Sequence, residues 1–413
     1  MKAISCGIDW ACDHHDVALI DAEGTLVAKA RIGDDLAGFH QLLSLLAEHG
    51  DTETGPIPVA IETGRGLLVA NLRATGRPVY TINPMAAARY RERIAVTRKK
   101  SDHLDAMTLA GILRTDRALH RMLPADTELA KAVAILARAQ QDAVWDRTQA
   151  GNKLRSHLRE YFPGFLSAFP TSTQYTSSVA RTILAAAPTP AAGATLTLTR
   201  LRSLLTKAGR VRGIDAEARR VKQTLRAEHL RQPPLVEAAM GEKTKALLGQ
   251  FEAACKAADD LETAAAESFR QHPDAEIITS LPGLGMLTGA RVLGELGDDP
   301  HRFADARGLK AYAGAAPVTR ASGKSLSVSR RRVKNDRLAS VGYIWAFSTL
   351  TASPGAKALY QHCRDNGQYH AATLRRLYNK LLGCLHHCLK TRTLYSENLA
   401  FPTLPGKDLQ LVA

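Results

Sequence analysis

Ala3-Ile4-Ser5-Cys6-Gly7-Ile8-Asp9 is a short apolar run that ends on an acid. Its length suits a strand better than a helix. Asp16 to Asp21 and Leu26 to Ile32 read as two more strands, and Ala22-Glu23-Gly24 between them has the composition of a turn. The three together form a meander. Beyond it, Leu36 to Glu48 has the apolar spacing of a helix, Ile57 to Ile61 reads as a buried strand ending in Glu62, and Gly66 to Arg73 reads as helix. Pro78 to Ile82 is a further strand. Pro84 to Ile94 and Asp102 to Leu113 read as helices, each opened by a cap residue or a first-turn proline. Three early strands followed by strands alternating with helices predict an α/β domain built on a sheet of mixed direction.

The middle of the chain has a different period. Asp126 to about Tyr161 carries one long amphipathic helix with Leu129, Val133, Leu136, Val144, Leu154 and Leu158 on its apolar positions. A second long helix runs from about Pro234 to Phe269. Such helices pair with each other or with another subunit. Residues 163–233, rich in Ala, Thr and Pro before turning basic, read as an insertion between the two halves of this stalk.

Of the 413 residues, 55 are Lys or Arg and 40 are Asp or Glu, a formal charge of +15. Residues 301–395 alone hold 17 basic side chains against Asp305, Asp336 and Asp365, a net of +14. A patch of that kind favours a polyanion as partner. No run approaches the roughly 18 apolar residues of a membrane span. The acid at Asp9 interrupts the apolar stretch that a signal peptide needs. Cys6, Cys12, Cys255, Cys363, Cys384 and Cys388 contain no CxxC pair and read as reduced thiols of a cytoplasmic protein. Cys384 and Cys388 around His386-His387 read as one face of a packed helix rather than as half of a zinc site.

Four acids stand out by position: Asp9 and Glu62 at strand ends, and Asp102 and Asp105 three apart at the start of a helix, hence on one helical face. Each alone is ordinary; Asp102 by itself reads as a helix N-cap. Carboxylates gathered at one sheet edge repel one another unless a hard divalent cation sits among them, and Mg²⁺ suits such an oxygen-only site. Arg98-Lys99-Lys100, just before Asp102, is either a solvated charge run or a phosphate contact beside that metal site. The set in its α/β frame looks like a ribonuclease H-like, RuvC-like nuclease domain.

Toward the C-terminus, Pro282-Gly283-Leu284-Gly285 between two apolar helical runs resembles a helix-hairpin-helix. In that motif Gly283 and Gly285 let backbone N–H groups approach a phosphate. An ordinary helix turn is the other reading. Further on, Ala321-Ser322-Gly323-Lys324-Ser325 precedes Arg330-Arg331-Arg332 and Lys334. A serine hydroxyl among guanidinium groups can attack a phosphodiester, since those cations stabilise the developing phosphorane. Alternatively the segment is a serine-rich phosphate-binding loop.

Taken together, the acids Asp9, Glu62, Asp102 and Asp105, the long helical middle, Leu281-Pro282-Gly283-Leu284-Gly285, Tyr312-Ala313-Gly314-Ala315-Ala316-Pro317 and Ser322-Gly323 resemble the insertion-sequence family 110 transposases, relatives of the Piv/MooV DNA invertases. The resemblance covers residues 1–120 and about 275–390. It implies a RuvC-like domain (1–122), a helical coiled-coil linker (123–272) that is longer than usual because of 163–233, a basic and mainly α-helical transposase domain with a helix-hairpin-helix (273–395), and a tail (396–413). It further implies recombination of donor and target DNA guided by a structured non-coding bridge RNA. The implied centre combines the four acids and Mg²⁺ with a serine nucleophile that carries over onto Ser322. The implied assembly is a homo-oligomer, dimer to tetramer, with acids and serine meeting from different subunits and no membrane involved. Two rival readings are a resolving endonuclease or invertase that works without a guide RNA, and a non-catalytic nucleic-acid-binding protein.

Overall fold

Strand β1 (Ser5–Trp10) lies at the centre of a five-stranded sheet whose order is β3-β2-β1-β4-β5. The computed structural model of the chain describes residues 3–94 and 101–402. Strands β2 (His14–Ile20) and β3 (Leu26–Gly33) extend the sheet antiparallel on one side of β1, while β4 (Val59–Ile61) and β5 (Val79–Thr81) extend it parallel on the other. The expected mixed direction is present. Strands β4 and β5 are shorter than the apolar runs suggested, because Pro58 and Pro78, which have no N–H to donate, join the sheet only through their carbonyls, accepting from Cys6 and Val59.

Strand alternation separates two faces. Cys6, Ile8, Val17, Leu19, Val59 and Ile61 point into one core, covered by Leu42 and Leu46 of α1 (Leu36–Glu48) and Leu68 and Leu72 of α2 (Leu67–Ala74). Ala60, Tyr80 and Ile82 face the other way, against Tyr90 of α3 (Pro84–Ile94) and Leu109, Ile112 and Leu113 of α4 (Asp102–Asp116). Helix α4 is buried almost throughout from Asp105 to Leu113 and packs on β1 and β2. That close packing has a sequence cause. A Cβ on Gly7 would lie 2.0 Å from the Ala106 carbonyl oxygen and 2.4 Å from the Ala110 nitrogen, so only glycine lets the helix come down onto β1.

The chain divides into two compact units, residues 1–125 and 126–413. In the second, α5 (Glu128–Tyr161) and α12 (Pro234–Arg270) pair with each other along their lengths. They run antiparallel: the Tyr161 hydroxyl is 2.5 Å from Thr244 Oγ1, Gly151 lies against Phe251, and Arg147 reaches Asp259 at 3.8 Å. Between them, α6 (Pro163–Ala168), α7 (Ser172–Tyr175), α8 (Ser178–Ala186), α9 (Pro190–Thr195), α10 (Leu198–Lys207) and α11 (Ile214–Arg226) form a helical bundle. Its core includes Phe162, Phe165, Phe169, Leu201, Leu205 and Val221. Part of the Thr and Pro content of this insertion serves the helix starts. Thr171, Ser177, Thr189 and Thr197 each accept a backbone N–H at a helix start, and Pro163 and Pro190 occupy first turns.

The basic segment contributes α13 (Ala275–Ser280), α14 (Met286–Leu296), α15 (Ala306–Tyr312), α16 (Asp336–Ala352), α17 (Pro354–Asp365), α18 (His370–Thr391) and α19 (Glu397–Ala400). Phe269, Leu293, Leu338, Trp345, Leu377 and Leu381 share its core with Val133 and Ala265 of the two long helices, so the packing continues without a break across residue 272. Cys388 is buried on α18, consistent with the packed-helix reading of Cys384 and Cys388. Helices do not account for all of it: β6 (Val318–Ser322) and β7 (Ser325–Ser329) form an antiparallel hairpin. The alternation Ser325-Leu326-Ser327-Val328-Ser329 is the period-2 signal for that strand, hidden by its serine content.

Candidate functional site

Asp9 is the next-to-last residue of β1 and points to the same side as Gly7, toward α4. Ile8 pairs with Ile61 on the parallel strand β4, which sets Glu62 beside Asp9 at the strand ends. Ser101 caps α4 by accepting the Leu104 N–H at 3.4 Å, so the N-cap role that Asp102 alone suggested belongs to Ser101. Asp102 is exposed and Asp105, one turn on, is buried. The other three sequence-selected acids all bear electrostatically on Asp9. Asp9 is pushed up to about 6 by burial, then by the negative charges of Asp105, Glu62 and Asp102 in turn, with Asp16 adding to the effect.

Asp16 is the residue the sequence reading missed. It lies directly across from Asp9 on β2 and is buried. Like charges opposed across a ladder are destabilising, and the third strand supplies the remedy. Arg31 of β3 pairs with Asp16 in register and donates to both its carboxylate oxygens, at 3.3 and 2.8 Å. The same guanidinium reaches Asp102 at 3.5 Å. Arg91 of α3 forms an ion pair with Asp105. The only sequence signal for Asp16 was its position on the same strand face as Asp9, which requires the hairpin register to be known.

These residues fit a hard divalent cation. The donors are carboxylate oxygens, and Asp9, raised first by burial, is raised further by the negative charges of Asp105, Glu62 and Asp102, a repulsion that a cation relieves. Among the described residues, the donor atoms of His14, Asp16 and Asp102 lie within 4.8 Å of one another, a cluster sharing Asp102 with the four acids. Among the described residues, arginines already engage Asp102 and Asp105 of the four acids, as well as Asp16. Arg98, Lys99 and Lys100 lie outside the described residues.

In the second unit, Ser322 ends β6 and pairs with Ser325 across the two-residue turn Gly323-Lys324. Gly323 has φ +55°, the positive value that the first position of a type II′ hairpin turn requires. Ser322 and Lys324 are exposed, and Leu326 and Val328 are 70% and 64% exposed on the same hairpin. The hairpin's flanks are fixed. The Asn335 N–H donates to the Tyr312 carbonyl at 2.8 Å, and its side chain donates to the Tyr312 hydroxyl at 2.7 Å and Glu295 at 2.6 Å. Arg330, Arg331, Arg332 and Lys334 follow β7 and line a cleft of about 400 Å³. Arg337 serves the structure instead, holding Asp142 at 2.7 and 3.0 Å and stacking on Trp145.

The Pro282-Gly283 turn packs inward. Gly283 has φ +82° and would clash with the backbone of Thr349 if it carried a Cβ, while the Pro282 carbonyl accepts from the Trp345 indole and Thr349 hydroxyl. The Gly285 N–H is engaged by Thr288 Oγ1 at 2.9 Å. Packing on α16 therefore accounts for Gly283 on its own.

A profile for DEDD-type IS110 transposases matches residues 6–163, and one described as the transposase IS116/IS110/IS902 family matches residues 275–361. A protein assigned as the mini-circle transposase for IS117 of Streptomyces coelicolor is 57% identical over 97% of both chains. The 44.8 kDa protein of insertion element IS116 from Streptomyces clavuligerus is 30% identical, covering 94% of this chain and 95% of its own. The 42 kDa protein of IS900 from Mycobacterium paratuberculosis is 29% identical over 95% and 97%. The chain belongs to the IS110 family of transposases. The family resemblance read from the sequence is thus correct, and the transposase is an insertion-sequence enzyme that cuts and rejoins DNA. The first match spans all four acids and Asp16; the second spans Ser322 and the arginine run. Among the described residues no helix of the transposase is long and apolar enough to cross a membrane.

Proposed function

We propose that this transposase recombines donor and target DNA through a transient serine–DNA linkage at Ser322, with Asp9, Glu62, Asp102 and Asp105 holding Mg²⁺, under guidance of a structured bridge RNA. The observation that carries the reading is the convergence of the acids on Asp9, whose carboxyl is raised to about 6 first by burial and then by the charges of Asp105, Glu62 and Asp102. The strand order, with three antiparallel strands and two parallel ones, supports a ribonuclease H-like, RuvC-like frame for that centre.

Bound there, Mg²⁺ supplies positive charge that offsets the developing charge on the scissile phosphate. Asp9, Glu62, Asp102 and Asp105 orient it from two strand ends and one helix. Ser322, presented at the tip of an exposed hairpin, attacks phosphorus. The Ser322 Oγ–P bond forms as the hydroxyl gives up its proton, the P–O bond to a deoxyribose oxygen breaks and that oxygen takes up a proton, and attack by an incoming DNA hydroxyl reverses the step and frees the serine. Arg330, Arg331 and Arg332 neutralise neighbouring phosphates, Lys334 reaches a phosphate by giving up its pairing with Asp336, and Lys324 adjoins the nucleophile. The run Arg98-Lys99-Lys100 is assigned as a further phosphate contact, whereas the Gly283 turn is committed to packing on α16 and the Gly285 N–H to Thr288. The active species is a homo-oligomer of two to four copies.

The test is adduct trapping on a suicide DNA substrate with Mg²⁺ and the cognate RNA, followed by peptide mapping. An adduct at Ser322 is expected, lost in Ser322→Ala and in Asp105→Asn. Cleavage that persists in Ser322→Ala supports a metal-activated water nuclease instead, and an adduct mapping to Ser325 overturns the assignment.

A further inference from the structure

The arginine cleft has an aromatic wall that nucleic-acid backbone contacts do not explain. Tyr343 lines it together with Arg330, Arg331, Arg332 and Arg375. Among the described residues no hydrogen bond or ion pair engages any of these four guanidinium groups, and the Arg331 Nε is buried without a partner. Arginines so placed present their donors to something outside the chain. Lys334 differs, since its ammonium is paired with Asp336.

One helical turn from Tyr343 on α16 stands Phe347. The two are 49% and 57% exposed. Both meet the His370 ring edge-on at 6.4 Å, and His370 is itself held by the Tyr360 hydroxyl at 2.8 Å from Nδ1. This is a fixed pair of solvent-facing rings rather than two loose side chains. Exposed aromatic surface fixed in place marks a binding face. The surrounding charge, +14 over residues 301–395, makes the occupant a polyanion. Duplex bases already stack on each other, so aromatic rings gain from bases only where those bases are unpaired. A cleft of about 400 Å³ is of the size that holds one small ligand, such as a nucleotide.

We propose that this cleft seats an unpaired nucleotide of a nucleic-acid strand. Its phosphate lies on Arg331, Arg332 and Arg375, its base stacks on Tyr343, and Phe347 takes the next base. The proposal rests on the reading of the basic segment as nucleic-acid-binding, and it goes further in specifying single-stranded character and naming the residues that sense it.

The test uses the full-length protein and fluorescence anisotropy on three probes: oligothymidylate, oligouridylate and a blunt mixed-sequence duplex. Base stacking is worth enough that the double variant Tyr343→Ala, Phe347→Ala is expected to weaken single-strand binding by about tenfold or more. Duplex binding should stay unchanged, and Tyr343→Trp should retain full affinity. A larger loss on oligouridylate identifies the strand as RNA, and a larger loss on oligothymidylate identifies it as DNA. Equal losses on duplex and single strands, or no loss, overturn the proposal. So does a change in sedimentation without a strand-specific loss, which assigns the face to a second copy of the chain. Neutralising Arg330, Arg331 and Arg332 separates the two levels. If no probe responds, the nucleic-acid reading of the segment falls; if all respond and the aromatic variant does not, only the unpaired-nucleotide site falls.

Discussion

Gly7 of β1 sits against Ala106 of α4 so closely that a Cβ on Gly7 would be 2.0 Å from the Ala106 carbonyl oxygen. The contact sets the height of α4 above the sheet, and with it the position of Asp102 and Asp105 over Asp9. Gly7→Ala is therefore expected to act twice. Overpacking of this kind costs about 1–3 kcal/mol, readable by urea denaturation. It should also reduce metal-dependent strand cleavage while leaving DNA binding by the basic segment intact, because that segment belongs to the other compact unit.

A second expectation concerns pH. In the metal-free protein Asp9 is raised from 3.8 to about 6. Between those values the folded state binds more protons than the unfolded chain, so stability falls as pH rises through that window. Asp9→Asn removes the ionisation and should flatten the profile, with the variant more stable than the parent above the window when no divalent ion is present. Urea midpoints between pH 4 and pH 7 in EDTA check this, a range chosen to bracket roughly the ordinary and shifted carboxyl values. A profile that Asp9→Asn leaves unaltered removes Asp9 as its source.

The salt dependence of DNA binding offers a third check. Each phosphate neutralised contributes about 0.9 to the slope of log affinity against log salt. Replacing Arg330, Arg331 and Arg332 with glutamine should lower the slope by about 2 to 3 if each meets one phosphate. Arg337→Gln should instead lower stability with little change in slope, since Arg337 is already engaged by Asp142.

Trp345 supports the turn at Pro282-Gly283 from beneath. It is fully buried and its indole donates to the Pro282 carbonyl at 3.0 Å. Trp345→Ala is expected to destabilise the second unit by about 3–5 kcal/mol, seen as a lowered thermal midpoint. The first unit has its own core, so its transition should be unaffected.

The α/β frame of the first unit was legible because strand and helix periods differ and are local: Leu36 to Glu48 shows its helical spacing without reference to anything distant. The two long helices were legible for the same reason. The β6–β7 hairpin was not, because Ser325, Ser327 and Ser329 remove the β-branched signal, and the strand is exposed along its whole length. Residues 163–233 were legible as an insertion between the two long helices, but their helical bundle was not, since short helices started by Thr171, Thr189 and Thr197 leave no long apolar period.

Chemistry divides along the same line. Sequence alone determined which residue types were available: Asp9 and Glu62 at strand ends, Asp102 and Asp105 on one helix face, Ser322 before glycine, and the arginine run after it. Covalent spacing and strand or helix period suffice for that. Only tertiary structure decided that Asp16 opposes Asp9, that Arg31 and Arg91 hold the acids in check, that Arg337 is paired with Asp142 while Arg331 is left without a partner among the described residues, and that Tyr343 joins the arginine cleft. Register between strands, and the approach of one helix to another, depend on contacts far apart in the chain, and no local period encodes them.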